Sequence, residues 1–233
     1  ASVGEIMRFL LLTAVCLLIA AGPATQPVAD QAACDALAAR WADRFHAAKF
    51  DCVVAPPFVI AGNGGPARLG AYRDQTIVAA QKALSAMYFK TPPDQPILIL
   101  LFEDHASYEK LAASWFDDHV VPHYGFYHHS DRTMLMDVST GTGTLVHELT
   151  HALIAPDFPT VPDWFNEGLA SLYEQSQING ARITGLPNWR LPALQKAIRD
   201  GSLRSLSDLI QDKNFRDEKM IGLNYAEARY LMQ

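Results

Sequence analysis

The sequence has no long cluster of lysine and arginine, no internal repeat and no low-complexity tract. Its 19 basic residues are outnumbered by 25 acidic ones, which gives a formal net charge of −6 at pH 7. This pattern lacks the basic surface that nucleic-acid-binding proteins need, so we exclude nucleic acid as the main partner. With 49% hydrophobic and 19% charged residues, the 233-residue chain has an ordinary globular composition that suits one domain.

Long hydrophobic runs are also lacking. The apolar run at residues 9–21 is shorter than the about 20 residues that a membrane-spanning helix needs. It follows Met7-Arg8 and ends in the small residues Gly22-Pro23-Ala24, an arrangement typical of a secretory signal peptide. We therefore predict upstream residues and a signal peptide at 1–24, with Met7 as the true start, and an exported protein that is periplasmic or secreted. An uncleaved N-terminal anchor is the alternative, and only then would the membrane be a partner.

Cysteine is scarce. Besides Cys16, which lies in the predicted signal segment, the chain has only Cys34 and Cys52. Two cysteines in an exported protein indicate one disulfide, here between the first helix and the strand that follows it. We favour this disulfide slightly over two free thiols in a hydrophobic environment.

Hydrophobic periodicity predicts that residues 25–233 form one domain of the α+β class. Apolar spacing predicts helices at 30–49, 69–89, 105–116, 191–199, 207–210 and from 221 onward. The continuous apolar run at 97–102 is typical of a buried central strand, and further strands are predicted at 58–61, 123–128 and 133–138. The sequence ends inside the last predicted helix without a cap or glycine, which leaves open a truncation at the C-terminus.

The segment from Gly143 to Leu153 contains the pattern His-Glu-x-x-His within an apolar run that predicts a mostly buried helix. Residues four apart lie on the same helical face, so His147 and His151 can offer two imidazole nitrogens to one metal ion. Glu148 then lies beside the metal and can accept a proton from the attacking water. The alternative is a helix whose histidines are only hydrogen-bonded or solvated.

A second helix is predicted to follow, with Asp163 as its N-cap residue. Glu167 lies in the first turns of this helix. Two histidines and one glutamate, with a fourth position left for water, are a known ligand set of catalytic zinc sites. Glu167 is therefore the predicted third ligand, and the alternative is that it is a simple surface acid.

The two segments together, His147-Glu148-Leu149-Thr150-His151 and Trp164-Phe165-Asn166-Glu167-Gly168-Leu169-Ala170, resemble the gluzincin metallopeptidases, most closely their peptidase-MA-like group. The resemblance is specific over residues 143–174 and extends only in pattern over the rest of the domain. It implies that His147, His151 and Glu167 bind Zn²⁺ and that Glu148 is the catalytic acid and base. Thermolysin-like gluzincins carry an aspartate that orients a histidine where this sequence has Ser171, so the partner of the histidines is unassigned.

The same resemblance implies a zincin-like fold, in which a small mixed β-sheet packs on the active-site helix and a mainly helical C-terminal part follows. The edge strand of such a sheet lies beside the cleft and would pair with an extended peptide. Residues 224–231 resemble the C-terminal helix of the group. Tyr225 is therefore a further candidate catalytic residue, as a hydroxyl donor to the oxyanion, and aromatic packing is an equally good explanation of it.

The sequence thus predicts an exported zinc-dependent metallopeptidase that acts on a peptide or protein substrate. One alternative is a non-catalytic, zinc-stabilised envelope protein that binds peptides at the edge of its sheet. The intact Glu148 favours the enzyme, because a purely structural site needs no base beside the metal, whereas Ser171 in place of the aspartate slightly favours the binding protein. Another alternative is a hydrolase of a non-peptide amide, such as a cell-wall crosslink.

Overall fold

The computed structural model describes residues 28–117 and 121–233. The signal peptide predicted at 1–24 lies outside the described residues. The fold is of the α+β class that the hydrophobic periodicity predicted, and it contains the small mixed sheet that the resemblance implied. Among the described residues, no helix is both long enough and apolar enough to cross a membrane.

Five strands form the main sheet, in the spatial order β1-β2-β3-β5-β4. Their bounds are β1 Asp51–Ala55, β2 Phe58–Gly62, β3 Ile97–Phe102, β4 Gly125–His128 and β5 Thr133–Asp137. The three inner strands are parallel, whereas the edge strands β1 and β4 are antiparallel to their neighbours. Within the described residues, β4 therefore has a sheet partner on one side only.

Strand β3 is the centre of the sheet, and all six of its residues are buried. Its side chains alternate between two hydrophobic cores on opposite faces of the sheet, because successive residues of a strand point in opposite directions. Burial of each such leucine or isoleucine stabilises the fold by roughly 1.5–3 kcal/mol. The prediction of a buried central strand at 97–102 is confirmed.

The helices cover the two faces of this sheet. They are α1 Gln31–Ala48, α2 Pro66–Ala71, α3 Val78–Met87, α4 His105–Phe116, α5 Gly143–Ile154, α6 Asp163–Leu172, α7 Leu191–Arg199, α8 Leu206–Gln211 and α9 Ile221–Met232. Helices α1 and α4 pack against one face, and α3 and α5 against the other. The predicted helix at 69–89 starts earlier and contains an irregular π-helical part, Tyr72–Ile77, between α2 and α3.

Helices α6 and α9 pack along each other, and Gly168 of α6 lies against the backbone of Ala228 of α9. A Cβ atom at position 168 would be only 2.9 Å from the carbonyl oxygen of Ala228 in α9. A glycine is needed here because any side chain would push the two backbones apart. This contact brings the first turns of α9 next to the residues that α6 contributes to the candidate site.

The start of α6 corrects one prediction. Helix α6 begins at Asp163, and its N-cap residue is Pro162 rather than Asp163. The carbonyl oxygen of Pro162 accepts hydrogen bonds of 3.0 Å from the backbone N–H groups of both Phe165 and Asn166. Proline takes the extended cap conformation because its ring fixes φ, and Asp163 instead interacts favourably with the helix dipole from the first helical position.

A hairpin follows α6 that the sequence analysis did not predict. Its strands are β6 Ser176–Asn179 and β7 Arg182–Gly185, and Gly180 in the turn has φ 60°. Each strand contains a single large apolar residue, Ile178 or Ile183, so neither shows an alternation of apolar side chains. The strand predicted at 123–128 is two residues shorter than expected, because β4 begins at Gly125, whose φ of 135° suits only glycine.

The two cysteines are free thiols, so the favoured disulfide is wrong. Cys34 is fully buried in α1, within the core that α1 shares with α4. Cys52 is exposed on the edge strand β1. Cys34 therefore acts as a small hydrophobic residue of the core, a common role of unpaired cysteine.

Candidate metal centre

Helix α5 directs the two histidines of the motif to one point. His147 and His151 are both buried, and their Nε2 atoms are 3.0 Å apart. Two ring nitrogens this close must share a proton or a cation, because two facing lone pairs would repel each other. The four-residue spacing therefore brings the two imidazole nitrogens together, as helical geometry predicted.

Glu167 on α6 completes a group of three ligand atoms. Its Oε2 atom lies 3.2 Å from Nε2 of His147 and 3.5 Å from Nε2 of His151. A tetrahedral zinc ion with bonds of 2.0–2.1 Å would hold its ligand atoms about 3.3 Å apart, close to these separations. Among the described residues, this is the one group of three His, Cys, Asp or Glu side chains with such geometry.

The electrostatics of the group also suit a cation. Burial lowers the pKa of His147, but the carboxylates of Glu167 and Glu174 outweigh this and raise it to about 10. Burial raises the pKa of Glu167, but the two histidines outweigh it and hold that pKa far below its usual range. The Oε2 atom of Glu167 is buried and has no hydrogen-bond partner of good geometry among the described residues. A buried, ionised oxygen without a partner fits a metal ligand.

Two residues that the sequence analysis left unassigned lie behind the histidines. Nδ1 of His151 is 2.9 Å from Oδ1 of Asn166, and Nδ1 of His147 is 3.2 Å from Oε1 of Glu174. The contact with Asn166 is a hydrogen bond, whereas Nδ1 of His147 lies within ion-pair distance of Glu174 but has no hydrogen-bond partner of good geometry among the described residues. An accepting or negatively charged oxygen beside Nδ1 favours a proton there and leaves the Nε2 lone pair to face the shared point. Both residues lie within the segment that carries the resemblance, at the position before the glutamate ligand and seven positions after it.

Ser171, at the position of the expected aspartate, does not replace these contacts. Its side chain is fully buried, and its hydroxyl has no hydrogen-bond partner among the described residues. The acid that contacts a histidine is instead Glu174, which lies three residues after Ser171, just beyond the end of α6.

Glu148 lies on the more open side of α5. Its side chain is half-buried, unlike the two histidines beside it. Burial lowers the pKa of His129, and the negative charge of Glu148 opposes that shift. His129 directly follows the edge strand β4, so the charge of Glu148 acts on the end of that strand.

Tyr225 lies beside His147 and Glu167, two residues of the candidate centre. Its ring is stacked on the ring of His147, with 6.4 Å between centroids and 11° between planes. Burial and the charge of Glu167 raise the pKa of the Tyr225 hydroxyl above its usual value, so it stays protonated and can donate a hydrogen bond. The ring also packs on Phe215, so the residue has a packing role as well.

Arg216 is a further residue of this site that sequence analysis missed. It lies in the loop between α8 and α9, and its guanidinium pairs with Oε1 of Glu167, the oxygen that faces away from the histidines. Its side chain is 61% exposed, whereas that of Glu167 is 2% exposed. The loop carries no motif, so only the folded chain shows that this arginine reaches the centre.

Open space adjoins α5 at both of its ends. A cavity of about 290 Å³ near its C-terminal end has Tyr127, His129 and Ala152 in its wall. Another, of about 660 Å³ near its N-terminal end, has Glu174 and Trp189 in its wall. A third, of about 770 Å³, lies between α1 and α4 on the other face of the sheet and is unrelated to the candidate centre.

The sequence was also compared with known proteins. No family model matches the chain, and no curated protein matches it significantly.

Proposed function

We propose that this chain is an exported zinc-dependent metallopeptidase of the gluzincin kind. The observation that carries the proposal is the triangle of ligand atoms from His147, His151 and Glu167, with separations of 3.0 to 3.5 Å. These three residues would hold the zinc ion. Zinc bound there would lower the pKa of a water molecule to about 7 and polarise the carbonyl group of the substrate.

Glu148 supplies the proton transfers in this proposal. It follows His147 directly on α5 and is more exposed than the ligands, so it can reach a substrate while remaining beside them. Its carboxylate accepts a proton from the attacking water and then donates it to the departing amine. Tyr225 is proposed to donate its hydroxyl hydrogen to the carbonyl oxygen of the substrate, whose negative charge grows during the attack.

The edge strand β4 is the proposed binding surface for the substrate backbone. It packs against α5 and has a partner strand on one side only, within the described residues. An extended peptide can add to such an edge through main-chain hydrogen bonds. The antiparallel edge strand, the ligand helix and the helices after it support a zincin-like fold, and the pattern at 1–24 supports export.

The test is to replace Glu148 with glutamine. We expect Glu148→Gln to keep its zinc and to lose about 10²–10⁴-fold in the rate of peptide cleavage, because the ligands are intact and only the proton acceptor is gone. Glu109→Gln is the matched control, since Glu109 is a glutamate on another helix whose side chain is 61% exposed. Zinc content and cleavage of a peptide library, with and without chelator, are the measurements.

Two results would count against the enzyme. If Glu148→Gln cleaves peptides as fast as the parent, Glu148 is not the base. If the parent binds zinc but cleaves no peptide in the library, the non-catalytic peptide-binding protein or the hydrolase of a non-peptide amide becomes the better account.

A further inference from the structure

The carboxylate of Glu174 is held from several sides. Arg190 donates two hydrogen bonds to it, from Nε to Oε2 at 3.1 Å and from Nη2 to Oε1 at 2.9 Å. Asn188 donates a third, of 3.3 Å, to Oε2. The side chain is 8% exposed, so it has little freedom to turn toward solvent. A bidentate arginine fixes the plane of a carboxylate as well as its position.

The backbone of Glu174 is also fixed with respect to helix α5. Gly143, the first residue of α5, lies so close that a Cβ atom there would be 2.5 Å from the carbonyl oxygen of Glu174. Contact between the start of α5 and the residue after α6 sets the distance between His147 and Glu174. The 3.2 Å separation of Nδ1 and Oε1 is therefore built into the packing of the two helices.

The two histidines differ in the groups behind them. His151 faces the neutral amide of Asn166, whereas His147 faces the carboxylate of Glu174. A carboxylate beside Nδ1 of an imidazole orients the ring, favours a proton on Nδ1 and makes Nε2 a stronger metal ligand. We propose that Glu174, clamped by Arg190, is the positioning residue of His147 and takes the role of an acid that this chain lacks at Ser171. The inference rests on the proposed metal centre.

The experiment compares Glu174→Gln with Glu227→Gln in the full chain. Glu227 is a matched control, because it is also a nearly buried glutamate paired with an arginine, with 2.7 Å between Arg204 Nε and its Oε2. Zinc affinity is measured by competition with a chelator, and the visible spectrum is recorded after loading with cobalt(II). The melting temperature of the metal-free protein shows how much each substitution perturbs the fold.

We expect Glu174→Gln to weaken zinc binding about 10–100-fold and to shift the cobalt bands, because an outer carboxylate tunes the ligand it contacts. Glu227→Gln should lower the melting temperature of the metal-free protein about as much as Glu174→Gln does, and it should leave zinc affinity and the cobalt spectrum unchanged. Gly143→Ala, which displaces the Glu174 backbone, should weaken zinc binding in the same direction. A merely structural role of Glu174 would lower the melting temperature and leave the cobalt spectrum as it is.

Unchanged affinity and spectrum in Glu174→Gln would overturn the inference while leaving the metal centre in place. A parent protein that binds zinc but cleaves nothing would count against the peptidase, and the comparison of variants would still decide the role of Glu174. A parent that takes up neither metal would overturn both proposals.

Discussion

The contact of α6 with α9 places Tyr225 beside Glu167, and Gly168 is the residue that permits it. Replacing Gly168 with alanine puts a methyl group 2.9 Å from the carbonyl oxygen and 3.2 Å from the Cβ atom of Ala228. The first neighbour is backbone, which cannot move aside as a flexible side chain can. The two helices must therefore separate by several tenths of an ångström, or the methyl group remains compressed.

The size of the effect follows from two opposing terms. Overpacking of this kind costs about 1–3 kcal/mol, while alanine gains up to about 1 kcal/mol over glycine inside a helix. Gly222 on α9 offers a control, because a Cβ atom there has no neighbour within 4 Å among the described residues and gains helix propensity alone. The two alanine variants should therefore differ in unfolding free energy by about 1–3 kcal/mol.

Thermal unfolding, followed by circular dichroism, measures the difference. For a chain of this length each 1 kcal/mol corresponds to about 2–4 °C, so Gly168→Ala should melt at least about 2 °C below Gly222→Ala. Peptide cleavage should fall more in Gly168→Ala, because the displaced α9 carries Tyr225. If the two variants melt together and are equally active, the close approach of α6 and α9 is wrong.

Two further predictions concern the ligands. Because neighbouring carboxylates overcome the effect of burial and raise the pKa of metal-free His147 to about 10, zinc has to displace a proton below that pH. The apparent zinc affinity should therefore rise with pH, by up to about tenfold per unit between pH 7 and pH 10, and a flat profile in chelator competition would contradict the raised pKa. Arg216→Gln removes the cation that pairs with Oε1 of Glu167. We expect zinc affinity to fall about tenfold, the lower end of the effect of such outer partners, because the guanidinium is mostly exposed. Equal affinity would show that Arg216 does not hold the ligand.

The parts of the fold that sequence predicts well are those governed by local periodicity. The continuous apolar run at Ile97–Phe102 is short for a helix and is bounded by proline and charge, which favours a buried strand, and its bounds agree with the structure. The helix at Gly143–Ile154 follows from apolar spacing, and the juxtaposition of His147 and His151 follows from helical geometry alone. The proximity of Glu167 depends also on the packing of α5 against α6, which periodicity does not give; Glu167 was predicted from the chemistry of known zinc ligand sets.

The residues that sequence reasoning missed act through long-range packing. Glu174 meets His147 because Gly143 lets two chain segments approach, and no short pattern encodes that contact. Arg216 reaches Glu167 from a loop with no periodic signal. The same limit explains the cysteines. The predicted export and the count of two favoured a disulfide, whereas the burial of Cys34 in a core depends on the whole sheet and its helices.

The most direct test of the account is X-ray absorption at the zinc edge of the purified, zinc-loaded protein. We predict one zinc per chain with two imidazole nitrogens at about 2.0–2.1 Å, oxygen ligands at about 2.0–2.2 Å and no sulfur, and loss of the bound metal in Glu167→Ala. A protein that retains no zinc, a sulfur ligand at about 2.3 Å, or an unchanged zinc spectrum in Glu167→Ala would contradict the claim that His147, His151 and Glu167 form the metal centre.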